Sequence, residues 1–137
     1  FITSIGLASI LRSELIEKFE NIYNILSTFY GKEPLINIIA WYAIDSTKHG
    51  EDDEVVAWNC VIFLRSKHRP DCYYNQGGKG LLISPAVAEM GGVFPIIREE
   101  DMDKLNTKEI IDIYKEISLS PEQFETLCDE LFRKDEV

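Results

Sequence analysis

Two apolar runs are the strongest indication of the fold: Leu35-Ile-Asn-Ile-Ile-Ala-Trp-Tyr-Ala-Ile44 and Glu54-Val-Val-Ala-Trp-Asn-Cys-Val-Ile-Phe-Leu64. Both are rich in β-branched and aromatic residues, which favour strands. The segment between them, residues 45–53, is charged and contains Gly50, so the pattern predicts an antiparallel hairpin. Large apolar side chains occur at both odd and even positions of each run. We therefore expect a sheet that is covered on both faces.

Helical periodicity precedes the hairpin. From Ser9 to Tyr30 the apolar residues recur at steps of three and four, which places them on one helical stripe. These residues are Leu11, Leu15, Phe19, Ile22, Leu26 and Phe29. Gly31 and Pro34 follow the stripe and predict the end of this helix.

The segments after the hairpin are shorter. Leu81-Leu-Ile-Ser84 is predicted to be a third strand, ended by Pro85, whereas residues 86–98 favour no long regular element. Thr107 is a candidate cap for a helix, and Ser120-Pro-Glu-Gln123 is a capping-box start for the last one. The apolar stripe of that last helix is Phe124, Leu127, Cys128, Leu131 and Phe132. Together these signals predict one α+β domain over residues 1–137, an antiparallel sheet of three to four strands with helices packed on it.

Composition narrows the function classes. The chain has 137 residues, 45% of them hydrophobic and 28% charged, with a net charge of −10. A chain this acidic repels phosphate backbones and anionic lipid, so nucleic-acid and membrane partners are disfavoured. Three widely spaced cysteines without a CxxC pair indicate reduced thiols in a cytoplasmic compartment. Because the first residue is Phe1, we expect the chain to be the C-terminal part of a longer protein.

One segment stands out as a candidate site. Arg65, Lys67, His68 and Arg69 place four cationic or potentially cationic groups within five positions, at the end of the second predicted strand. Guanidinium forks suit phosphate oxygens, and lysine adds a point charge. Arg65 and Lys67 share parity, so an extended backbone would point both to one side. The cluster is interpreted either as a phosphate-binding site or as a solvated strand end with ordinary surface ion pairs.

Other motifs favour structural interpretations. The run Gly77-Gly-Lys-Gly80 precedes a strand instead of opening a helix, so it is more typical of a flexible turn than of a phosphate cradle, although Lys79 could lie near an anion. His49 is interpreted as a solvated loop residue. The acidic stretches at residues 51–54 and 99–101 lack the ligand spacing of a calcium loop and are taken as solvated charge. No catalytic residue, metal site or cofactor is predicted, and the two tryptophans are expected to be core or cross-strand aromatics.

Several phrases of the sequence resemble a known family. They are Tyr23-Asn-Ile-Leu26, Glu33-Pro-Leu-Ile-Asn-Ile-Ile39, Arg65-Ser-Lys-His-Arg-Pro-Asp-Cys-Tyr73, Leu81-Leu-Ile-Ser-Pro85 and Glu89-Met-Gly-Gly-Val93. With them the chain resembles, over most of residues 20–132, the C-terminal half of bacterial proteins related to ATP adenylyltransferase, diadenosine-tetraphosphate phosphorylase and GDP-galactose phosphorylase. That group belongs to the histidine-triad and galactose-1-phosphate uridylyltransferase superfamily.

The resemblance implies a histidine-triad-like half-domain of a nucleotidyltransferase or phosphorylase. Its ligand would be a nucleotide or nucleotide-sugar phosphate, bound together with an upstream domain, and a homodimer is compatible with it. In such families a histidine of an H-x-H-x-H or H-x-H-x-Q strand attacks the phosphate. No position of this sequence matches that motif, so the resemblance implies phosphate contacts from Arg65, Lys67, His68 and Arg69 but no nucleophile.

Two alternatives to this hypothesis remain open. A small acidic binding module of the immunity or antidote type, which blocks a basic partner, would also suit the charge of −10 and the missing catalytic groups. An enzyme that uses dispersed carboxylates is the third hypothesis, although no pair of acids is singled out by the sequence.

Overall fold

The computed structural model describes residues 2–44, 56–75 and 80–132 of the chain. The strands in these residues are β1 (Ser4–Ser9), β2 (Ile36–Ile44) and β3 (Val56–Leu64). The α-helices are α1 (Arg12–Tyr30), α2 (Val87–Met90), α3 (Glu99–Met102), α4 (Thr107–Ile117) and α5 (Pro121–Phe132), and a 3₁₀ helix spans Asp71–Tyr74. The predicted α+β class is confirmed: a three-stranded antiparallel sheet with five helices packed on it, as far as the described residues show.

The second strand of the predicted hairpin, β3, is the central strand of this sheet. The strand order is β1-β3-β2, and both outer strands run antiparallel to β3. Ile62 of β3 lies opposite Ile5 on one side and Ile38 on the other. Since side chains alternate along a strand, this register places the three isoleucines on one face. The charged loop predicted between β2 and β3 lies outside the described residues.

The prediction of the third strand was wrong. Residues 81–84 belong to no ladder, and the third strand is instead β1, in a segment where no strand was predicted. Leu81 and Ile83 instead pack with Ile113 of α4 in a small second core, which explains why these positions are apolar. The strand-like pattern of residues 81–84 therefore reflects burial without strand pairing.

Helix α1 follows the predicted stripe. Leu15 and Leu26 are buried, whereas Leu11, which precedes the helix, is 55% exposed. The helix ends as predicted at Gly31, which has φ 62° and donates its N–H to the Thr28 carbonyl at 3.1 Å. A left-handed residue at this position favours glycine, because it has no Cβ to clash.

The two C-terminal helices begin with side-chain caps. The Ser120–Gln123 capping box is confirmed: Ser120 Oγ accepts from Gln123 N at 3.2 Å and Gln123 Oε1 accepts from Ser120 N at 3.0 Å. The prediction that Thr107 caps α4 was off by one residue. Asn106 Oδ1 accepts from the backbone N–H groups of residues 108 and 109, and Thr107 is the first helical residue.

The main core lies between one face of the sheet and the helices α1 and α5. Its buried residues are Leu15, Leu26, Cys60, Ile62, Leu64, Leu119 and Leu127. Each fully buried side chain of this kind contributes about 1.5–3 kcal/mol. Phe132, predicted to be in the buried stripe of α5, is instead 69% exposed.

The expectation that both faces of the sheet are covered holds only in part. The short helix α2 packs against β2. Trp41 and Tyr42 of β2, however, are 44% and 58% exposed. Trp58 of β3 is paired with Tyr42 of β2, and their ring centroids lie 4.8 Å apart, as expected for a cross-strand aromatic pair. No helix within the described ranges combines the length and apolarity needed to cross a membrane.

Candidate anion-binding cleft

A cleft of about 720 Å³ opens beside the end of β3. This volume lies within the range of small-ligand sites in proteins. Three segments of the chain form its walls: the connection from α1 into β2, the loop after β3, and residues 84–86. The lining residues are Glu33, Pro34, Leu35, Ile36, Asn37, Arg65, His68, Arg69, Tyr74, Ser84, Pro85 and Ala86. Three of the four predicted phosphate-binding residues, Arg65, His68 and Arg69, are therefore brought together in one cleft.

Lys67, the fourth predicted residue, does not line the cleft. Its ammonium group pairs with Asp71 Oδ1 at 2.7 Å and with Glu116 of α4. Hydrogen bonds to these carboxylates raise the pKa of Lys67, and the bond from Lys67 lowers the pKa of Asp71. The interpretation that Arg65 and Lys67 point to one side was wrong, because β3 ends at Leu64 and the backbone bends at Ser66.

The backbone of this loop is fixed on two sides. Ser66 donates its N–H to the Ile117 carbonyl at 2.8 Å, and Arg65 forms a β-bridge with Ser118. From the opposite side, the Tyr30 hydroxyl at the end of α1 donates to the Arg65 carbonyl at 2.8 Å. Burial raises the pKa of Tyr30 to about 12, which strengthens the preference of this phenol for its neutral form. Arg65 is thus held at a defined place next to the cleft.

Arg65 has an unusual environment for a charged residue, because it is only 5% exposed. Its Nη1 donates to Asn37 Oδ1 at 3.1 Å and its Nη2 donates to the His68 carbonyl. Nε is buried, and no hydrogen-bond partner for it occurs among the described residues. A guanidinium carries five N–H donors, so each Nη nitrogen keeps one further N–H.

No carboxylate of the described ranges lies within ion-pair distance of Arg65. Burial lowers the pKa of Arg65, and the more distant Glu89 carboxylate partly offsets this effect. Arginine nevertheless stays charged at any physiological pH. A buried cation without a bound carboxylate is costly for the folded state. Arg65 is therefore a buried charge whose hydrogen-bond acceptors, Asn37 Oδ1 and the His68 carbonyl, are both neutral.

Arg69 is held at the other side of the cleft. Its Nε donates to Ser84 Oγ at 3.2 Å, and its Cζ lies 4.2 Å from the centroid of the Tyr73 ring. Stacking on an aromatic face restricts the guanidinium without neutralising it. His68 is exposed at the cleft, and Tyr74, at the rim, is 64% exposed.

The chain that leads into the wall at residues 84–86 is anchored by an ion pair between the partly exposed Arg98 and the buried Asp101. Asp101 is 1% exposed and accepts two bonds from Arg98, at 2.7 and 2.9 Å. Asp101 also accepts from the Leu82 N–H at 3.0 Å, while Arg98 donates to the Gly80 carbonyl at 2.7 Å. The acidic stretch at residues 99–101 was interpreted as solvated charge, and this is wrong for Asp101. The pair attaches the chain just before Ser84 to α3.

This pair makes stability depend on pH. Hydrogen bonds from Arg98, with smaller contributions from Leu82 and Lys104, lower the pKa of Asp101 from 3.8 to about 2. A lowered folded-state pKa stabilises the protein above pH 3.8, and the contribution is lost as the pH falls toward about 2. We expect Asp101→Asn to lower the midpoint of thermal unfolding by at least about 5 °C at neutral pH.

Thermal unfolding of both proteins between about pH 6 and pH 2 checks this prediction. The two midpoints are expected to converge below pH 3.8. Asp112→Asn, an exposed aspartate of α4, serves as the control and should leave the midpoint unchanged. A gap between wild type and Asp101→Asn that stays constant with pH would show that the Asp101 charge is not its source.

Sequence reasoning missed several residues of the cleft. Asn37 is the lone polar residue in the apolar run of β2, which indicates that its side chain has a hydrogen-bond partner in the fold. Ser84 and Tyr74 carried no such signal. His49, Lys79 and the acidic stretch at residues 51–54 lie outside the described residues, so their predictions are not tested. No group of three or more His, Cys, Asp or Glu residues in the described part of the chain is arranged to hold a metal ion.

Comparison with known proteins gives one match. The family model described as "GDPGP1-like, C-terminal domain" matches residues 57–136, more than half of the chain. The match includes the loop of Arg65 to Arg69 and the wall at Ser84, but begins after the Glu33–Asn37 wall. No curated protein and no solved structure matches the chain. The resemblance to the C-terminal half of GDP-galactose phosphorylase-like proteins is thereby confirmed, and the chain belongs to the GDPGP1-like C-terminal domain family.

Proposed function

We propose that this domain binds the phosphate groups of a nucleotide or nucleotide sugar in the cleft at Arg65, as the C-terminal part of a nucleotidyltransferase- or phosphorylase-like protein. The buried guanidinium of Arg65 carries the proposal. It is 5% exposed and has no bound carboxylate within the described ranges, yet lies next to a cleft large enough for a small ligand. A phosphate oxygen supplies the missing negative charge and accepts the remaining N–H groups.

The local charge balance supports an anionic ligand. Arg65 and Arg69 line the cleft together with His68, and Glu33 is the one acidic residue among the lining residues that the structure describes. This surplus of positive charge occurs in a chain whose net charge is −10. Acidic surfaces elsewhere repel anions, so the cleft is where a phosphate meets a favourable potential.

This domain is proposed to bind phosphate without supplying a complete catalytic apparatus. The sequence contains two histidines, His49 and His68, which are far apart and do not form the H-x-H-x-Q pattern that the resemblance implies for a nucleophile. His68 is exposed, and no metal-binding cluster occurs among the residues that the structure describes. We infer that the group attacking the phosphate comes from another part of the protein.

Isothermal titration of the 137-residue chain tests the proposal. Pyrophosphate, ATP and GDP are expected to bind at least about tenfold tighter than the nucleosides adenosine and guanosine, with affinity that falls as salt rises. Nucleosides that bind as tightly as their phosphates, or a folded chain that binds none of these ligands, would exclude a phosphate site.

A further inference from the structure

Asn37 holds Arg65 with a neutral group. The Asn37 side chain lies on β2, opposite Phe63 of β3, and accepts from Arg65 Nη1 at 3.1 Å. The second acceptor of Arg65, the His68 carbonyl, is also neutral. Both fix the direction of the guanidinium plane, and neither removes its charge.

Two cations near the cleft, Arg98 and Lys67, have carboxylate partners, whereas Arg69 contacts Ser84 and the Tyr73 ring. Arg98 pairs with Asp101 at 2.7 Å, and Lys67 pairs with Asp71 at 2.7 Å. Both of these cations are about one-third exposed, with side-chain exposures of 37% and 35%. Arg65 is far more buried than either and would gain most from such a partner, because burial of an unpaired charge is costly. At position 37, next to Arg65, the sequence has an asparagine amide, although an isosteric aspartate carboxylate would fit there.

We propose that Asn37 is a positioning residue that orients Arg65 while leaving its positive charge available to the phosphate of the ligand. The inference rests on the proposed function. It adds the reason why no carboxylate of the protein neutralises Arg65 in the cleft. A carboxylate at position 37 would form an ion pair with Arg65 and compete with the phosphate for the same donors. Stability is given up for binding at this position, as is common at functional sites.

The substitution Asn37→Asp tests this directly. The new carboxylate is expected to reduce the affinity for pyrophosphate at least about tenfold, because a charge-assisted bond to Arg65 must be displaced. The midpoint of thermal unfolding is expected to stay equal or to rise by a few degrees, because a buried charge gains a partner. Binding and stability thus change in opposite directions.

Two further variants isolate the charge. Asn21→Asp adds the same charge at an exposed position of α1 and is expected to leave pyrophosphate affinity unchanged. Asn37→Ser removes the bond to Arg65 but keeps position 37 neutral. The affinity of this variant for pyrophosphate is therefore expected to fall less than that of Asn37→Asp. Titration calorimetry and thermal unfolding are measured on all three variants and on wild type.

The possible results separate this inference from the proposed function. If wild type binds pyrophosphate and Asn37→Asp binds equally well, the charge-preserving role of Asn37 is wrong while the phosphate site stands. Equal losses in Asn37→Asp and Asn37→Ser, or a loss of affinity accompanied by a lower unfolding midpoint, would also overturn it. If wild type itself does not bind, the proposed function fails, and the role of Asn37 fails with it.

Discussion

Arg65→Met is expected to lower the affinity of the cleft for pyrophosphate by about 10- to 100-fold, which corresponds to a hydrogen bond to a charged group of about 1.5–3 kcal/mol. The methionine side chain fills a similar volume but carries no N–H donors. Arg65 is 5% exposed, so its replacement removes the buried charge from the cleft floor. Titration calorimetry of wild type and variant measures the difference.

The same variant is expected to fold at least as well as wild type. Arg65 has no carboxylate partner among the described residues, so its removal leaves no uncompensated buried charge and eliminates the desolvation cost of the guanidinium. The two groups that lose their donor, Asn37 Oδ1 and the His68 carbonyl, belong to residues that line the open cleft, where water can replace the guanidinium.

Arg12→Met is the matched control. It removes the same charge from an exposed arginine at the first residue of α1, at the opposite end of that helix from Tyr30, which contacts Arg65. We expect its pyrophosphate affinity to equal that of wild type. Equal losses of affinity in both variants would show that net charge, and not the cleft, governs binding.

Ile117→Ala is expected to lower the free energy of unfolding by about 2–5 kcal/mol, the usual cost of truncating a fully buried isoleucine. Ile117 has 0% exposure at the end of α4, and its carbonyl accepts from Ser66 in the loop that carries the site. Ile117 is thus a fully buried residue at the point where the α4 backbone is bonded to this loop. Urea unfolding, with the free energy extrapolated to water, measures the loss.

Ile111→Ala is the control for this truncation. The two isoleucines belong to the same helix, but Ile111 is 44% exposed. Its truncation is expected to cost no more than about 1 kcal/mol. If both variants lose similar stability, the packing assigned to the end of α4 is incorrect.

The sequence pattern correctly predicted those elements whose formation depends on residues close together in the chain. The α1 stripe, its stop at Gly31, the β2–β3 hairpin and the Ser120 capping box were all evident from residues close together in the chain. β1 escaped prediction because it is short and carries small residues, Gly6 and Ala8, at alternate positions. Its strand state depends on pairing with β3, far along the chain.

The position of the candidate site in the chain was predicted, but the partners of its charged side chains were not. The sequence located the cationic loop, yet whether each cation is neutralised depends on residues from other elements. Lys67 meets Glu116 of α4, whereas Arg65 meets Asn37 of β2. Neither pairing follows from spacing, because the turn after Leu64 decides which way each side chain points. The acidic-module hypothesis and the phosphate-binding roles stay predictions that neither the fold nor the family match tests.

A pyrophosphate titration of the folded chain followed by amide NMR tests directly whether phosphate binds at Arg65. If the uncompensated charge of Arg65 receives the phosphate, the backbone amides of Arg65, His68, Arg69 and Ser84 and the side-chain amide of Asn37 shift together and saturably. If these signals stay unchanged while pyrophosphate is added to saturation, or if the shifts occur only at residues distant from the cleft, phosphate does not bind at Arg65.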